Sequence, residues 1–216
     1  GVYNYMATAL AVTGFVALAT AMMSVSDGQY TSFGALLFLS PLRWVILLAP
    51  LAMVFLFASR VDRMAASTLQ TLFWVYSVLM GVSLASIFLV YTGESIARVF
   101  FVTAAAFAGL SLFGYTTKRD LSGMATFLFM GLIGVVIASL VNLFLGSTMI
   151  QFMISVAGVV VFAGLTAYDT QRIKLMYVAG EDGEVTTKKS IMGALSLDLD
   201  FINLFLMLLS LFGNRE

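Results

Sequence analysis

The sequence predicts an all-α integral membrane protein with seven transmembrane helices, and three observations predict it. Mean hydropathy is +1.04, and only 10% of residues are charged against 61% hydrophobic; an average soluble domain is roughly 25% charged. Apolar runs of about 20 residues, the length that crosses a bilayer, recur along the whole chain. The Lys and Arg residues between those runs fall mainly on alternate connections, as membrane topology demands.

The spans lie near 3–24, 34–58, 65–91, 95–117, 121–145, 149–178 and 187–213. The second contains Pro41 and Pro50, which lack a backbone N–H and kink a helix, so its start can be as late as Trp44. A six-span alternative would make the last, Asp-bearing run re-entrant. With seven spans, one side holds Arg60, Arg63, Lys118, Arg119, Arg172, Lys174, Lys188 and Lys189, and the other holds Arg43, Arg98 and Arg215. Eight against three places the N-terminus in the cytoplasm and the C-terminus outside. No connection is long enough to fold alone, so residues 1–216 read as a single transmembrane domain. The chain opens on Gly1 and enters an apolar run within a few positions. It reads as lacking a short native N-terminal tail, and not as having lost a signal peptide, since the run continues into further spans.

Composition excludes several classes of function. The 11 basic residues balance 11 acidic ones with no basic run, so nucleic acid is not a partner. There is no Cys and no His, hence no disulfide, no thiolate chemistry and no imidazole switch near neutral pH. Proton-linked behaviour is left to carboxylates. Eight of the acids, Asp27, Asp62, Glu94, Asp120, Glu181, Asp182, Glu184 and Glu216, fall in connections or at the terminus, where solvated charge is the ordinary reading. Asp169, Asp198 and Asp200 lie inside spans six and seven, where an ionisable side chain costs several kcal/mol and needs a partner or a polar cavity.

Helical spacing sorts these three. In span seven, Gly193, Ser196, Asp200, Asn203, Met207 and Ser210 recur at steps of three and four and share one small, polar face. In span six, Gln151, Ser155, Gly158, Phe162, Leu165 and Asp169 do the same, with Thr166 beside them. Such faces look inward. Asp198 sits about 200° around the helix from Asp200 and cannot serve the same site directly; it reads as a snorkelling or locally paired charge. A C-cap at Gly180 puts Asp169 about 16 Å into its helix, and an entry near Ser190 puts Asp200 about 15 Å into the next. Antiparallel neighbours with carboxylates at similar depth can touch, and touching carboxylates share a proton and titrate as a pair. Alternatively, either Asp bonds helix-end amides, or pairs with Arg172 or Arg60, and only holds the bundle together. The small-residue spacings Gly131–Gly134 and Gly158–Gly164, the methionines and the two Trp residues need no more than close packing and lipid contact.

The stretch AYDTQRIK at 167–174 followed by LSLDLDFINLFLMLLSLFG resembles the paired C-terminal signature of the Bax inhibitor-1 family, the transmembrane Bax inhibitor motif proteins. VYNYMATALAVTG near the start and GVSLASIFLVYTG at 81–93 are similar to its bacterial members, so the resemblance covers essentially the whole chain. It implies seven helices with the last one central and the other six around it. It also implies a pH-sensitive calcium leak, regulated by an aspartyl pair on the cytoplasmic side, in a bacterial inner membrane. Carried onto this sequence, the pair is Asp169 and Asp200, which would also make transient contact with calcium. An Arg at the cytoplasmic end of the second helix competes for the first of them in the family; Arg60 is preferred here over Arg63. Asn203 stands beside the second Asp as a further candidate at the gate. One departure stands out: the family has Tyr where this chain has Asp198, which leaves open the pH at which this chain's pair would switch.

Two functions follow as expectations. In the first, the chain is a passive cation pathway gated by protonation, with calcium and protons as its ions, the bilayer as its setting and no cofactor. In the second, it is a regulatory protein that binds partner membrane proteins, in keeping with the family's association with stress and cell-death suppression and with modulation of membrane proteolysis. No enzyme activity is expected. An intramembrane hydrolase would need glycine-rich sequence beside the second Asp, and LDFINLF does not supply it.

Overall fold

A computed structural model describes residues 1–215; Glu216, expected as a solvated terminal acid, lies outside them. Seven helical spans among the described residues are long and apolar enough to cross a membrane: Val2–Ser24, Leu42–Arg63, Ala66–Val90, Gly93–Thr116, Ser122–Leu145, Thr148–Met176 and Gly183–Phe212. Six begin within four residues of the expected start, and the last run is a full span, not a re-entrant one. The protein is an integral membrane protein.

The helices are α1 (Val2–Ser24), α2 (Ser32–Phe38), α3 (Leu42–Arg60), α4 (Ala66–Leu84), α5 (Ile87–Val90), α6 (Gly93–Thr116), α7 (Ala125–Leu145), α8 (Thr148–Met176) and α9 (Gly183–Phe212). Two residue pairs form a small antiparallel hairpin, β1 (Val25–Ser26) and β2 (Gln29–Tyr30), in register Val25 to Tyr30. The expected second span is two helices. The chain breaks at Leu39–Pro41 and α3 starts at Leu42, two residues before the latest start expected; Pro50 is accommodated inside α3. Elsewhere local chemistry sets the ends: Thr92 and Ser147 cap α6 and α8 by accepting from the amides of Ser95 and Ile150. Gly146, at φ 61°, ends α7 in the left-handed conformation that favours glycine.

The contacts fall into two units, residues 1–91 with 179–195, and residues 92–178 with 196–215. In the first, α1 packs on α4, where Thr13 Oγ1 donates to the Ser77 carbonyl at 2.9 Å. Phe57, Phe73 and Tyr76 are fully buried and meet as an aromatic cluster. The start of α4 lacks a cap of its own, because Ala65 has no side-chain oxygen; Glu184 accepts from the Ala66 amide instead, at 3.2 Å.

The second unit carries the site. Here α6 and α8 come close enough that a Cβ on Gly114 would lie 2.2 Å from the Ala167 carbonyl oxygen, so only glycine fits. Gly164 and Gly131 of the flanking helices meet Leu128 and Val161, which is the close packing expected of small residues in a membrane. Phe201 packs edge-on against Phe100 and Phe107 of α6. At the end of α9, Thr92 N donates to the Asn214 carbonyl at 2.9 Å, Asn214 N to Ser95 Oγ at 2.7 Å, and Arg98 to the Phe212 carbonyl at 3.0 Å. This clasp satisfies carbonyls that a helix C-terminus leaves unpaired.

Burial distinguishes α9 from the other spans. Half of its most apolar stretch is buried, against 11–33% for the rest. From Thr186 to Leu211 no residue is exposed.

Candidate functional site

Two polar seams, one on α8 and one on α9, face each other in antiparallel register. Ser155 and Ser210 hydroxyls bond at 2.9 Å, with Gln151 reaching both. Next along, a Cβ on Gly158 would lie 2.8 Å from the Met207 side chain. Further on, the buried Asp169 and Asp200 lie close to each other, and beyond them Arg172 donates to Ser196 Oγ at 3.3 Å. The faces read from the sequence as inward are thus turned toward each other.

At the carboxyl pair, Asp169 is 7% exposed and Asp200 is 5% exposed. The partner is within the protein, which answers the cost of placing an acid in a span. Asp169 also accepts from Arg172 at 3.2 Å, in an i,i+3 ion pair whose Arg is 44% exposed. Arg172 therefore ties one carboxylate to α8 and reaches the hydroxyl of Ser196 on α9. Asp200 Oδ2 is buried and makes no hydrogen bond among the described residues.

The depth expected for each acid needs correction. Helix α8 ends at Met176, four residues before Gly180, so Asp169 is about 10 Å from its end. Helix α9 starts at Gly183, seven residues before Ser190, so Asp200 is about 26 Å from its start. The stretch EVTTKK, read as connection, is helical. Distance from a helix end is not depth when the first turns of the helix are charged.

Of the two readings of Asp198, a snorkelling charge is excluded, since the residue is fully buried, which leaves the locally paired one. Asn203 donates to the Leu199 carbonyl of its own helix at 2.8 Å. Arg60 and Arg63 are exposed at the end of α3 and in the turn after it, and neither forms an ion pair among the described residues. Among those residues no group of three or more His, Cys, Asp or Glu could hold a metal. A cation at the pair would have two carboxylates, too few oxygens for a closed calcium cage.

The rest of the 167–174 motif fastens α8 to the end of α6 and the connection after it. Thr170 and Ser111 hydroxyls bond at 3.0 Å. Gln171 accepts from the Leu121 amide and donates to the Arg119 carbonyl, both at 2.8 Å. Lys174 donates to the Tyr115 carbonyl at 2.6 Å and lies over its ring. Sequence reasoning did not find these roles. The one signal was positional: polar side chains one helical turn apart at the end of a span, where a neighbouring helix also stops. In the connection itself, Asp120 accepts from the Ser122 amide, which holds its carboxyl below the usual value of 3.8.

Comparison with known proteins places these features in context. Residues 1–216 match the profile of the family described as inhibitor of apoptosis-promoting Bax1. The chain is 50% identical over 215 residues to the uncharacterized protein RP147 of Rickettsia prowazekii, covering 100% of this chain and 88% of the relative. It is 47% identical over 218 residues to the inner membrane protein YbhL of Escherichia coli, covering 100% and 90%. A Borreliella burgdorferi protein is 38% identical over 215 residues, covering 99% and 93%.

Proposed function

Because the chain belongs to the Bax inhibitor-1 family, we propose that it is a passive cation pathway, with calcium as the ion, switched by the proton that Asp169 and Asp200 share. One observation supports this reading: the two acids of the family signature are both buried and lie close together on successive antiparallel spans. While one proton bridges them, α8 and α9 are held together at that level. Loss of the proton leaves two like charges in contact, a repulsion that favours separation. Arg172 is placed to stabilise the ionised form of Asp169, and its pairing changes with that charge. Carboxylate oxygens suit calcium as a passing ligand.

The membrane is a bacterial inner membrane, in keeping with the description of the E. coli relative. The N-terminus is cytoplasmic, on the eight-to-three distribution of Lys and Arg. No catalytic step or cofactor enters the mechanism.

The test is calcium flux into proteoliposomes over a series of pH values, comparing the parent chain with Asp169→Asn and Asp200→Asn. Each variant is expected to lose its pH dependence, since an amide neither gains nor loses the proton. Profiles identical to the parent's would remove the pair from the mechanism.

The family description, which names inhibition of another protein, favours a second reading in which the chain restrains a membrane partner. Purified protein without flux, together with a stoichiometric membrane partner retained through purification, would select it.

A further inference from the structure

We propose that a groove between α6 and α9, at the end of the helices far from the carboxyl pair, is a binding site for one anionic phospholipid. The groove encloses about 340 Å³ and is lined by Arg98, Val99 and Val102 of α6 and by Leu208 and Phe212 of α9. Its walls are apolar except at Arg98.

Arg98 is the reason for the headgroup. It lies inside the Gly93–Thr116 span, about 8 Å from the helix start, and is exposed. Its one hydrogen bond is to the Phe212 carbonyl, and among the described residues no carboxylate pairs with it. Glu94, one turn nearer the helix start, is exposed and forms no ion pair with it. A guanidinium that has spent one of five donors on a neutral carbonyl keeps the charge and the planar fork that match a phosphate. Within a span, an uncompensated charge draws its counterion from the surroundings, and at the interface the surroundings are lipid phosphates.

The groove supplies the other half of the ligand. Val102 and Phe212 are 54% and 63% exposed, so the groove opens onto lipid and takes an acyl chain alongside the helices. A basic group at the rim with an apolar slot leading away from it has the order of polarity of a phospholipid, headgroup to chain. A zwitterionic headgroup brings its own cation beside the phosphate and gains less from Arg98, which makes the site selective for net negative charge.

Native mass spectrometry of the purified full chain tests this, after exchange into an equimolar mixture of phosphatidylglycerol and phosphatidylcholine. The parent chain is expected to retain one phosphatidylglycerol in preference. Arg98→Gln should reduce the preference by roughly tenfold, the ratio given by loss of one charge-assisted contact, and Arg98→Lys should keep part of it. Val102→Trp fills the slot from the lipid side without touching the clasp and should lower retention of both lipids, so the test survives if Arg98→Gln does not fold. No preference in the parent chain overturns the site. So does a preference that both Arg98→Gln and Val102→Trp leave unchanged.

Discussion

Ser155 and Ser210 share a hydrogen bond at 2.9 Å on the same helix pair that brings Asp169 and Asp200 together, about 21 Å further along α8. The α8–α9 contact is therefore pinned by neutral hydroxyls at one level and by ionisable groups at another. Only the second level carries ionisable groups, so the proposed switch belongs there and not at the hydroxyls.

The hydroxyl contact makes a double-mutant cycle informative. Ser155→Ala and Ser210→Ala should each lower resistance to unfolding, with a coupling energy of about 0.6 kcal/mol, the average for hydrogen bonds between membrane helices. Unfolding in mixed micelles measures it, and flux through both variants should keep the parent's pH profile. A coupling of zero would mean that the two hydroxyls do not act as a pair.

Asp198 gives a contrast with its neighbour. Its position about 200° around the helix keeps it off the α8 seam, so Asp198→Asn is expected to leave a pH-dependent flux where Asp200→Asn abolishes one. Any effect of Asp198→Asn should be a displacement of the midpoint, produced through space by removal of a nearby carboxyl. Loss of pH dependence in Asp198→Asn would make it a member of the switch.

Gly114→Ala should destabilise by about 1–3 kcal/mol, the usual cost of forcing extra atoms into a packed contact, since its Cβ would collide with the Ala167 carbonyl. Gly109→Ala, on the same helix with nothing within 4 Å of its Cβ, serves as the control and should be neutral or slightly stabilising. Thermal unfolding in detergent distinguishes the two. Equal midpoints would place the close approach of α6 and α8 elsewhere.

Gln171→Ala removes both hydrogen bonds to the 119–121 backbone. A loss of about 1–3 kcal/mol follows from leaving a backbone donor and acceptor unpaired. The pH dependence of flux should persist, because the carboxyl pair is untouched. Unfolding and flux measured on the same preparation separate these two effects of one motif.

Asp120 titrates on its own. The Ser122 amide favours its ionised form, so its contribution to stability is complete above the ordinary value of 3.8 and disappears as pH falls through the lower native value. Asp120→Asn should lower stability slightly in the neutral range and flatten the acid limb of the stability curve below pH 3.8. An acid limb as steep as the parent's would contradict that assignment.

The sequence carried the spans well, since a helix in lipid needs a long apolar run and little else: Val2–Ser24 and Thr148–Met176 lie within two residues of the expected limits. It also carried the facing seams, because steps of three and four determine which side chains share a face. Long-range contacts to backbone were less legible. Gln171, Lys174 and Arg98 bond carbonyls and an amide of other elements, and such partners leave no complementary residue type to find. The Val25–Tyr30 hairpin did leave a sign, the Asp27-Gly28 pair with φ of 52° and 77°, as tight two-residue turns require. The snorkelling reading of Asp198 failed because charge in a span suggests a route to the interface, whereas this residue is fully buried, which one helix's pattern does not reveal.

The absence of any exposed residue from Thr186 to Leu211 bears on how the protein is made. This is the last of the seven spans to leave the ribosome, and it brings Asp198, Asp200 and Asn203 with it. Alone in lipid, those groups would oppose its retention. Its insertion is therefore coupled to docking with spans already in place, and a destabilised earlier span would be detected at this step, as failure of the final helix to integrate.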